Sequence, residues 1–190
     1  MKKITIALFS LILAGCSSFF EDFDYPPATF SVSGNSLVME GVIDSNIKTN
    51  LQAALNDNPQ VDTIIMQNVE GSVDDEANLN AAKLVRAKGL NTLIPSDGIV
   101  ASGGTDFFLA GTKRTVEDGA KIGVHSWAGA GIDNAAMLPK SHPEHQKYLQ
   151  YYEEMGIASE FYWYTLVSAS SDDIHWMTPM EQKKYQLATP

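Results

Sequence analysis

Apolar and polar positions along the first part of the chain predict a hairpin and then a helix. Thr29 to Ser33 and Leu37 to Glu40 flank Gly34-Asn35, a turn sequence typical of β-hairpins. From Asp44, the expected N-cap residue, apolar side chains recur with helical spacing until Pro59. We therefore expect an antiparallel pair of strands followed by a helix that packs on a sheet.

The next segments repeat the order strand, helix, strand. Val61 to Gln67 is a short apolar run typical of a buried central strand. A helical pattern follows, and its expected inner face consists of Ala77, Ala81, Leu84 and Val85. Gly89 marks the expected end of that helix, and Leu90 to Ile94 reads as the following strand. This alternation predicts an α/β fold with a parallel sheet, whose functional residues lie on loops after the strands.

The C-terminal part is rich in aromatic residues and predicts helices. Residues 128–145 are polar and contain Gly129 and Gly131, so we expect a mobile loop that acts as a lid. A helical segment then runs to about Ala169 with a break near Gly156. Its aromatic density indicates core packing or contact with a second subunit, so a homo-oligomer is one expectation. Thr178-Pro-Met-Glu181 predicts a capping box that opens a short last helix.

The N-terminus has the pattern of a secretory signal. Lys2 and Lys3 precede an apolar run from Ile4 to Leu13, which is too short to span a bilayer. The next residues, Leu13-Ala-Gly-Cys16, resemble the lipobox of bacterial lipoproteins, which implies that Cys16 becomes the lipidated first residue of the mature chain. The alternative is an ordinary cleaved signal with an incidental cysteine. The lipobox leads us to expect a membrane anchor at Cys16.

These features predict the organisation and location of the chain. We expect a signal peptide at residues 1–15, a lipidated tether at 16–27 and a single domain at 28–190. Ser17 stands where many lipoproteins retained in the enterobacterial inner membrane have aspartate. The expected location is therefore the periplasmic face of the outer membrane.

The net charge of the chain limits its possible partners, and its cysteine content limits its possible disulfides. Removing Lys2 and Lys3 from the 13 basic residues leaves 11 basic against 23 acidic side chains, a formal charge of −12. Such an acidic chain is a poor ligand for nucleic acid. Cys16 is the only cysteine, so no disulfide forms within the chain.

Ser102 and His125 are the candidate catalytic residues. Ser102 begins an apolar helix, where unpaired backbone N–H groups favour negative charge on an attacked carbonyl oxygen. His125 ends a later strand, and the helix, the stop at Gly111 and the two short strands between them can return it to Ser102. The pair would then be nucleophile and base. Taken alone, Ser102 also fits a helix cap and His125 a hydrogen-bonded strand residue.

The ordered motifs resemble the Clp protease proteolytic subunit of the crotonase-like superfamily, and especially its predicted periplasmic relatives. They are Glu70-Gly-Ser-Val73, Ala101-Ser-Gly103, Gly123-Val-His125, and Asp172-Asp173 ahead of Trp176-Met-Thr178. The resemblance covers roughly Val61 to Ala188. It implies a crotonase-like (ClpP-like) parallel-sheet core of βαβ units, with flanking helices and a C-terminal helical segment.

The resemblance also implies a site and an activity. Ser102 would be the nucleophile, His125 the general base and Asp173 the acid that orients the imidazole. Gly71 and Gly103 would donate backbone hydrogen bonds to the oxyanion. The implied function is a lipid-anchored periplasmic serine peptidase that acts on a peptide or protein without metal or cofactor.

Two positions depart from the family pattern. Glu70 replaces the first glycine of the oxyanion loop and puts a charge where a peptide should approach. Asp173 aligns only approximately with the family acid, so Asp172 stays an alternative. These departures leave a second function open, that of a catalytically inactive ClpP-fold lipoprotein acting as a binding or assembly module. The absence of glycine at Val100 disfavours the nucleophile elbow of an α/β-hydrolase.

Two other histidine motifs are weaker candidates. His142-Pro-Glu-His145 combines two imidazoles and a carboxylate, but Pro143 prevents a regular helical ligand face, so we predict no metal site. His175 competes with His125 as a base but lacks its glycine-flanked strand.

Overall fold

The computed structural model describes residues 26–129 and 131–190, so the predicted signal peptide and Cys16 lie outside the described residues. The strands are β1 (Thr29–Ser33), β2 (Ser36–Glu40), β3 (Thr63–Val69), β4 (Asn91–Ile94), β5 (Ile99–Ala101), β6 (Arg114–Val116), β7 (Lys121–Val124) and β8 (His175–Trp176). The helices are α1 (Ile47–Asp57), α2 (Asp75–Ala87), α3 (Gly103–Leu109), α4 (His145–Glu154), α5 (Ser159–Ser168) and α6 (Pro179–Lys184). None of the helices in these ranges is long and apolar enough to cross a membrane.

The first elements follow the predicted order, with one correction. β1 and β2 form the expected antiparallel hairpin, and Gly34 takes a φ of 60° in its turn. The N-cap of α1 is Asn46 and not Asp44, because the Asp44 carboxylate accepts a hydrogen bond from the Asn46 N–H at 2.9 Å. Asp44 therefore closes the turn before the helix, a common use of aspartate.

β3 is the central strand, and the two halves of its length pair with different neighbouring strands. Its first half, Thr63–Ile65, pairs in parallel with β4, which in turn pairs with β6. Its second half, Asn68–Val69, pairs in parallel with β5, which leads to β7 and then to antiparallel β8. On its other side β3 pairs in parallel with β2. This mostly parallel sheet with flanking helices confirms the predicted fold class.

The core lies between the sheet and the helices. Ile64 and Met66 of β3 are fully buried, as are Leu51 of α1 and Phe107 and Phe108 of α3. Burying each side chain of this size stabilises a fold by roughly 1.5–3 kcal/mol relative to exposing it. Burial of Phe107 and Phe108 therefore fixes α3 in the core, and with it the residues at the start of this helix.

The C-terminal helices pack as core and not only as surface. Tyr151 of α4 and Phe161 of α5 are fully buried. Gly156 takes a φ of 69° between α4 and α5, at the predicted break. Thr178 and Glu181 form the predicted capping box at the start of α6. α5 packs against β7, the strand that leads to His125.

Candidate active site

Ser102 lies in a strained turn between β5 and α3. Its φ of 54° and ψ of −128° are uncommon for a residue with a Cβ atom and cost about 1–3 kcal/mol. Hydrogen bonds hold it there: its N–H donates to the Gly123 carbonyl at 3.1 Å, and its carbonyl accepts from the Thr105 N–H at 2.9 Å. The side chain makes no cap hydrogen bond. The strand-to-helix turn of a nucleophile elbow thus exists here even though Val100 replaces its first glycine.

His125 meets Ser102 because of strand register. Ala101 of β5 pairs with Gly123 of β7 in parallel, so the residues just beyond both strands reach the same edge of the sheet. The Nε2 atom of His125 lies 2.7 Å from the Ser102 Oγ atom, within hydrogen-bonding distance. The structure therefore brings together the two residues that the sequence predicts as nucleophile and base.

The environment keeps the His125 ring neutral. Burial lowers the pKa of His125 below its ordinary value of 6.5, while the backbone of Ser171 and Ser170 and the charge of Asp75 oppose that change. A neutral imidazole has a lone pair for the serine proton, whereas an imidazolium has none. His125 is thus in the protonation state that a general base needs at neutral pH.

Neither predicted acid contacts the imidazole. The Nδ1 atom of His125 is buried and makes no hydrogen bond of normal geometry among residues 26–129 and 131–190, although the backbone of Ser170 and Ser171 lies near enough to raise the pKa of the ring. Asp173 is exposed and accepts from the Ile174 N–H at 2.8 Å, while exposed Asp172 accepts from the Ser170 hydroxyl at 2.5 Å. The described structure therefore contains a Ser102–His125 pair without a carboxylate against it.

The predicted oxyanion glycines lie beside Ser102. Gly103 is the first residue of α3, so its N–H is one of those left unpaired by the helix. A Cβ atom on Gly71 would come within 3.8 Å of the Ser102 Cβ atom, and the Gly71 carbonyl accepts from the Ile43 N–H at 3.0 Å. Glu70 is exposed and does not line the pocket beside Ser102. The Glu70 side chain is therefore not part of the wall of this pocket.

A small pocket of about 40 Å³ opens beside Ser102 and His125. Its other walls carry two carboxylates and several aromatic rings. The side chains concerned are Asp75, Asp106, Trp127, Tyr148, Tyr152 and Tyr162. The three tyrosines were expected only as core or subunit-contact residues of the aromatic helical segment, and neither carboxylate was predicted as part of the site.

Tyrosines of α4 hold the two carboxylates. Tyr148 donates to one Asp75 oxygen at 2.5 Å, and Ser72 donates to the other at 2.6 Å. Tyr152 donates to the Asp106 Oδ1 atom at 2.5 Å. Burial raises the pKa of Asp106 to about 7, the Asp75 charge adds to this, and the Tyr152 hydrogen bond opposes it. The signal in the sequence was Tyr148 and Tyr152 at i,i+4 spacing, which places both hydroxyls on one face of a helix.

An aromatic hydrogen-bond network flanks the segment predicted as a loop beside the site. Trp127 stacks on Tyr148 with ring centroids 5.4 Å apart, and its Nε1–H donates to the Tyr162 hydroxyl at 3.0 Å. The same hydroxyl lies 2.6 Å from the Nδ1 atom of buried His145. His145 is therefore engaged with a tyrosine. The described ranges contain no group of three or more His, Cys, Asp or Glu side chains suited to a metal ion.

Comparisons with known proteins define the fold class. No protein-family model matches the chain, and no curated protein matches its sequence. Human enoyl coenzyme A hydratase domain-containing protein 3 matches with a TM-score of 0.53 at 8% identity, over 86% of this chain and 70% of that one. The Pseudomonas aeruginosa protein PA4980 matches with a TM-score of 0.50 at 13% identity, over 85% and 75%. A mutant of the 1510-N membrane-bound stomatin-specific protease matches with a TM-score of 0.49 at 16% identity, over 78% and 75%.

The chain has the crotonase/ClpP fold, as the motif resemblance predicts. Proteins named as hydratases and as a protease are found among its structural neighbours. At these identities the likeness shows the fold alone, because one fold hosts many reactions. The activity has to be argued from the side chains.

Proposed function

We propose that this protein is a serine hydrolase, most suited to peptides, in which Ser102 is the nucleophile and His125 the general base. The observation that supports it is the 2.7 Å contact between Ser102 Oγ and His125 Nε2, made by a serine in a strained backbone conformation. Strain of this kind persists only where the surrounding structure holds it, and it is concentrated at functional sites. A serine used only to cap α3 would turn its hydroxyl to the helix.

The reaction follows from the positions of these groups. As Ser102 Oγ bonds to the substrate carbonyl carbon, its proton passes to His125 Nε2, and the carbonyl oxygen becomes an oxyanion. In the proposed mechanism the N–H groups of Gly71 and Gly103 bind that oxyanion. The intermediate then expels the amine, which takes the proton from Nε2. Water repeats these steps on the acyl-serine and releases a carboxylic acid and free Ser102.

The proposal assigns Asp173 a conditional role. A carboxylate on Nδ1 would fix the imidazole tautomer and stabilise the protonated ring. Asp173 makes no such contact in the described structure, where its Oδ1 atom binds the Ile174 N–H. We therefore propose a Ser102–His125 dyad as the minimal machinery, and Asp173 remains the predicted third member if its loop rearranges.

We also propose that Cys16 carries a lipid that anchors the domain to the periplasmic face of the outer membrane. The support is the Leu13-Ala-Gly-Cys16 sequence after a signal-like apolar run, with Ser17 next to the cysteine. We expect wild type in the membrane fraction and Cys16→Ala in the soluble fraction. Finding both proteins equally soluble would rule out the anchor.

The activity is tested by labelling with a fluorophosphonate, which reacts with activated serines. Wild type should be labelled, whereas Ser102→Ala and His125→Gln should not, with thermal melts showing that both variants are folded. Ser168→Ala is the matched control, because Ser168 donates to the Tyr164 carbonyl on α5 and is remote from the pair in sequence. Equal labelling of wild type and Ser102→Ala would refute the assignment.

The second candidate function is a catalytically inactive binding or assembly module with this fold. The observation that favours it is the His125 Nδ1 atom, which is buried without a partner. On this alternative no serine probe labels wild type, and a partner captured from a membrane extract binds wild type and Ser102→Ala equally.

A further inference from the structure

A buried asparagine of α2 contacts the turn that contains Ser102. The side chain of Asn78 is in the core, with 1% of the residue exposed, and its Nδ2 atom donates to the Gly103 carbonyl at 2.8 Å. A carbonyl oxygen only accepts hydrogen bonds, so the amide nitrogen is the end that faces Gly103. The Oδ1 atom of Asn78 is buried and has no hydrogen-bond partner among the described residues. The contact therefore joins α2 to the residue after the proposed nucleophile and leaves one buried oxygen unpaired.

Stability alone does not explain an asparagine at this position. Burying an amide oxygen without a hydrogen bond destabilises a fold. The Gly103 carbonyl does not need the asparagine either, because the carbonyl of the first residue of an α-helix accepts from the N–H four residues later. Leucine branches at the same atom as asparagine and has no polar atom to leave unpaired. The N–H group of Asn78 therefore has a role other than satisfying the Gly103 carbonyl.

The segment that Asn78 contacts is strained and closely confined. Ser102 has a φ of 54°, and Gly103 follows it directly. A Cβ atom on Gly103 would lie 2.4 Å from the Ser72 Oγ atom and 2.9 Å from the Asn78 Nδ2 atom. The Ser72 hydroxyl is itself held, because it donates to Asp75 at 2.6 Å. Asp75 and Asn78 are three positions apart and so lie on the same face of α2, which fixes Gly103 through two side chains.

We propose that Asn78 is a positioning residue of the active site, whose N–H group fixes the Gly103 peptide and thereby the directions of the Gly103 N–H and the Ser102 side chain. This inference rests on the proposed function and adds a residue to it. Asn78 does not line the pocket beside Ser102, so it acts through Gly103 and not on the substrate. Donors aimed at an oxyanion are effective because they are already oriented when the charge develops.

The rate of labelling by a fluorophosphonate tests the proposal without a known substrate. In Asn78→Leu we expect the maximal labelling rate to fall ~10- to ~100-fold, as a misplacement of about 1 Å implies. The reagent concentration that gives half of the maximal rate should stay unchanged, because Asn78 does not touch the bound reagent. Asn80→Leu makes the same substitution at an exposed position of the same helix, so it is the matched control and should be labelled like wild type.

Urea unfolding separates this role from a structural one. Asn78→Leu should have a midpoint equal to or higher than that of wild type, because the unpaired oxygen is removed. Asn78→Ala should have a lower midpoint, because it leaves a cavity, yet it should lose as much labelling, because it lacks the same donor. A purely structural role would make labelling follow stability. Labelling of either variant at the wild-type rate, with the protein folded, would overturn the inference.

A backbone measurement separates the inference from the hydrolase assignment. The NMR order parameter of the Gly103 N–H should be lower in Asn78→Leu than in wild type and in Asn80→Leu. An unchanged value would overturn the inference whether or not the protein is a hydrolase. A lowered value in a protein that no fluorophosphonate labels would refute the hydrolase assignment and still show that Asn78 fixes Gly103. Ser102-dependent labelling that is equally fast in wild type and Asn78→Leu would refute the Asn78 assignment alone.

Discussion

Gly104 lies so close to the carbonyl oxygen of Val69 that no side chain fits between them. Val69 ends β3, and Gly104 is in the first turn of α3, so the contact fixes the start of α3 against the central strand. We predict that Gly104→Ala destabilises the fold by ~1–3 kcal/mol, as overpacking does, despite the ~1 kcal/mol that alanine contributes over glycine inside a helix. The midpoint of urea unfolding measures the change.

The neighbouring glycine provides the comparison. A Cβ atom on Gly103 would come within 2.4 Å of the Ser72 hydroxyl and 2.6 Å of the Ser72 Cβ atom, whereas one on Gly104 would overlap the Val69 carbonyl oxygen more deeply, at 2.0 Å. Gly103→Ala should therefore lower the midpoint less than Gly104→Ala. A neutral Gly104→Ala variant would contradict this account of the Val69 contact.

The fold was predictable where the pattern was local and long enough. The hairpin, the helix break at Gly156 and the Thr178 capping box depend on residues a few positions apart, and each is present. β5 and β8 were not predicted, because strands of three and two residues are too short to show a period. They exist because neighbouring strands pair with them.

The site was predictable only in part. Ser102 and His125 belong to short motifs that can be recognised in a single sequence, and parallel pairing of their strands brings them together. The acidic pocket is different, because Asp106 and Tyr152 are 46 positions apart and meet only when α4 packs on α3. No sequence period links two such residues. The position of Asp173 depends on loop geometry, which spacing does not determine.

The pH profile of hydrolysis should reflect His125. Its lowered pKa means that the ring becomes protonated only below the ordinary value of 6.5. We predict that kcat/KM stays level through neutral pH and falls only at a pH below 6.5, because an imidazolium cannot accept the serine proton. A pH series with a substrate lacking ionisable groups measures this limb. An acid limb centred above pH 7 would show that another group controls the reaction.

Replacing the two predicted acids distinguishes a dyad from a triad. Because neither Asp173 nor Asp172 contacts the imidazole, we predict that Asp173→Asn and Asp172→Asn each lower kcat less than tenfold, far from the ~10⁴ loss that follows when a triad aspartate becomes asparagine. A loss near that size in Asp173→Asn alone would mean that Asp173 reaches His125 during the reaction. The same loss in Asp172→Asn alone would assign the role to Asp172.

The last prediction concerns the stability effect of an ionised Asp106. Its pKa is raised from 3.8 to about 7, so the folded protein holds this proton where the unfolded chain has released it. Stability therefore falls as the pH rises from about 4 to about 7, by up to ~4 kcal/mol at ~1.4 kcal/mol for each unit of pKa. The cost should vanish in Asp106→Asn, whose amide oxygen can still accept the Tyr152 hydrogen bond.

Urea midpoints of wild type and Asp106→Asn at pH 4.5 and pH 8 test this account. The two proteins should be nearly equally stable at the lower pH, and the variant should be the more stable one at the higher pH. Exposed Asp97→Asn should follow wild type at both. Parallel behaviour of wild type and Asp106→Asn would show that the carboxyl group is not held protonated by its surroundings.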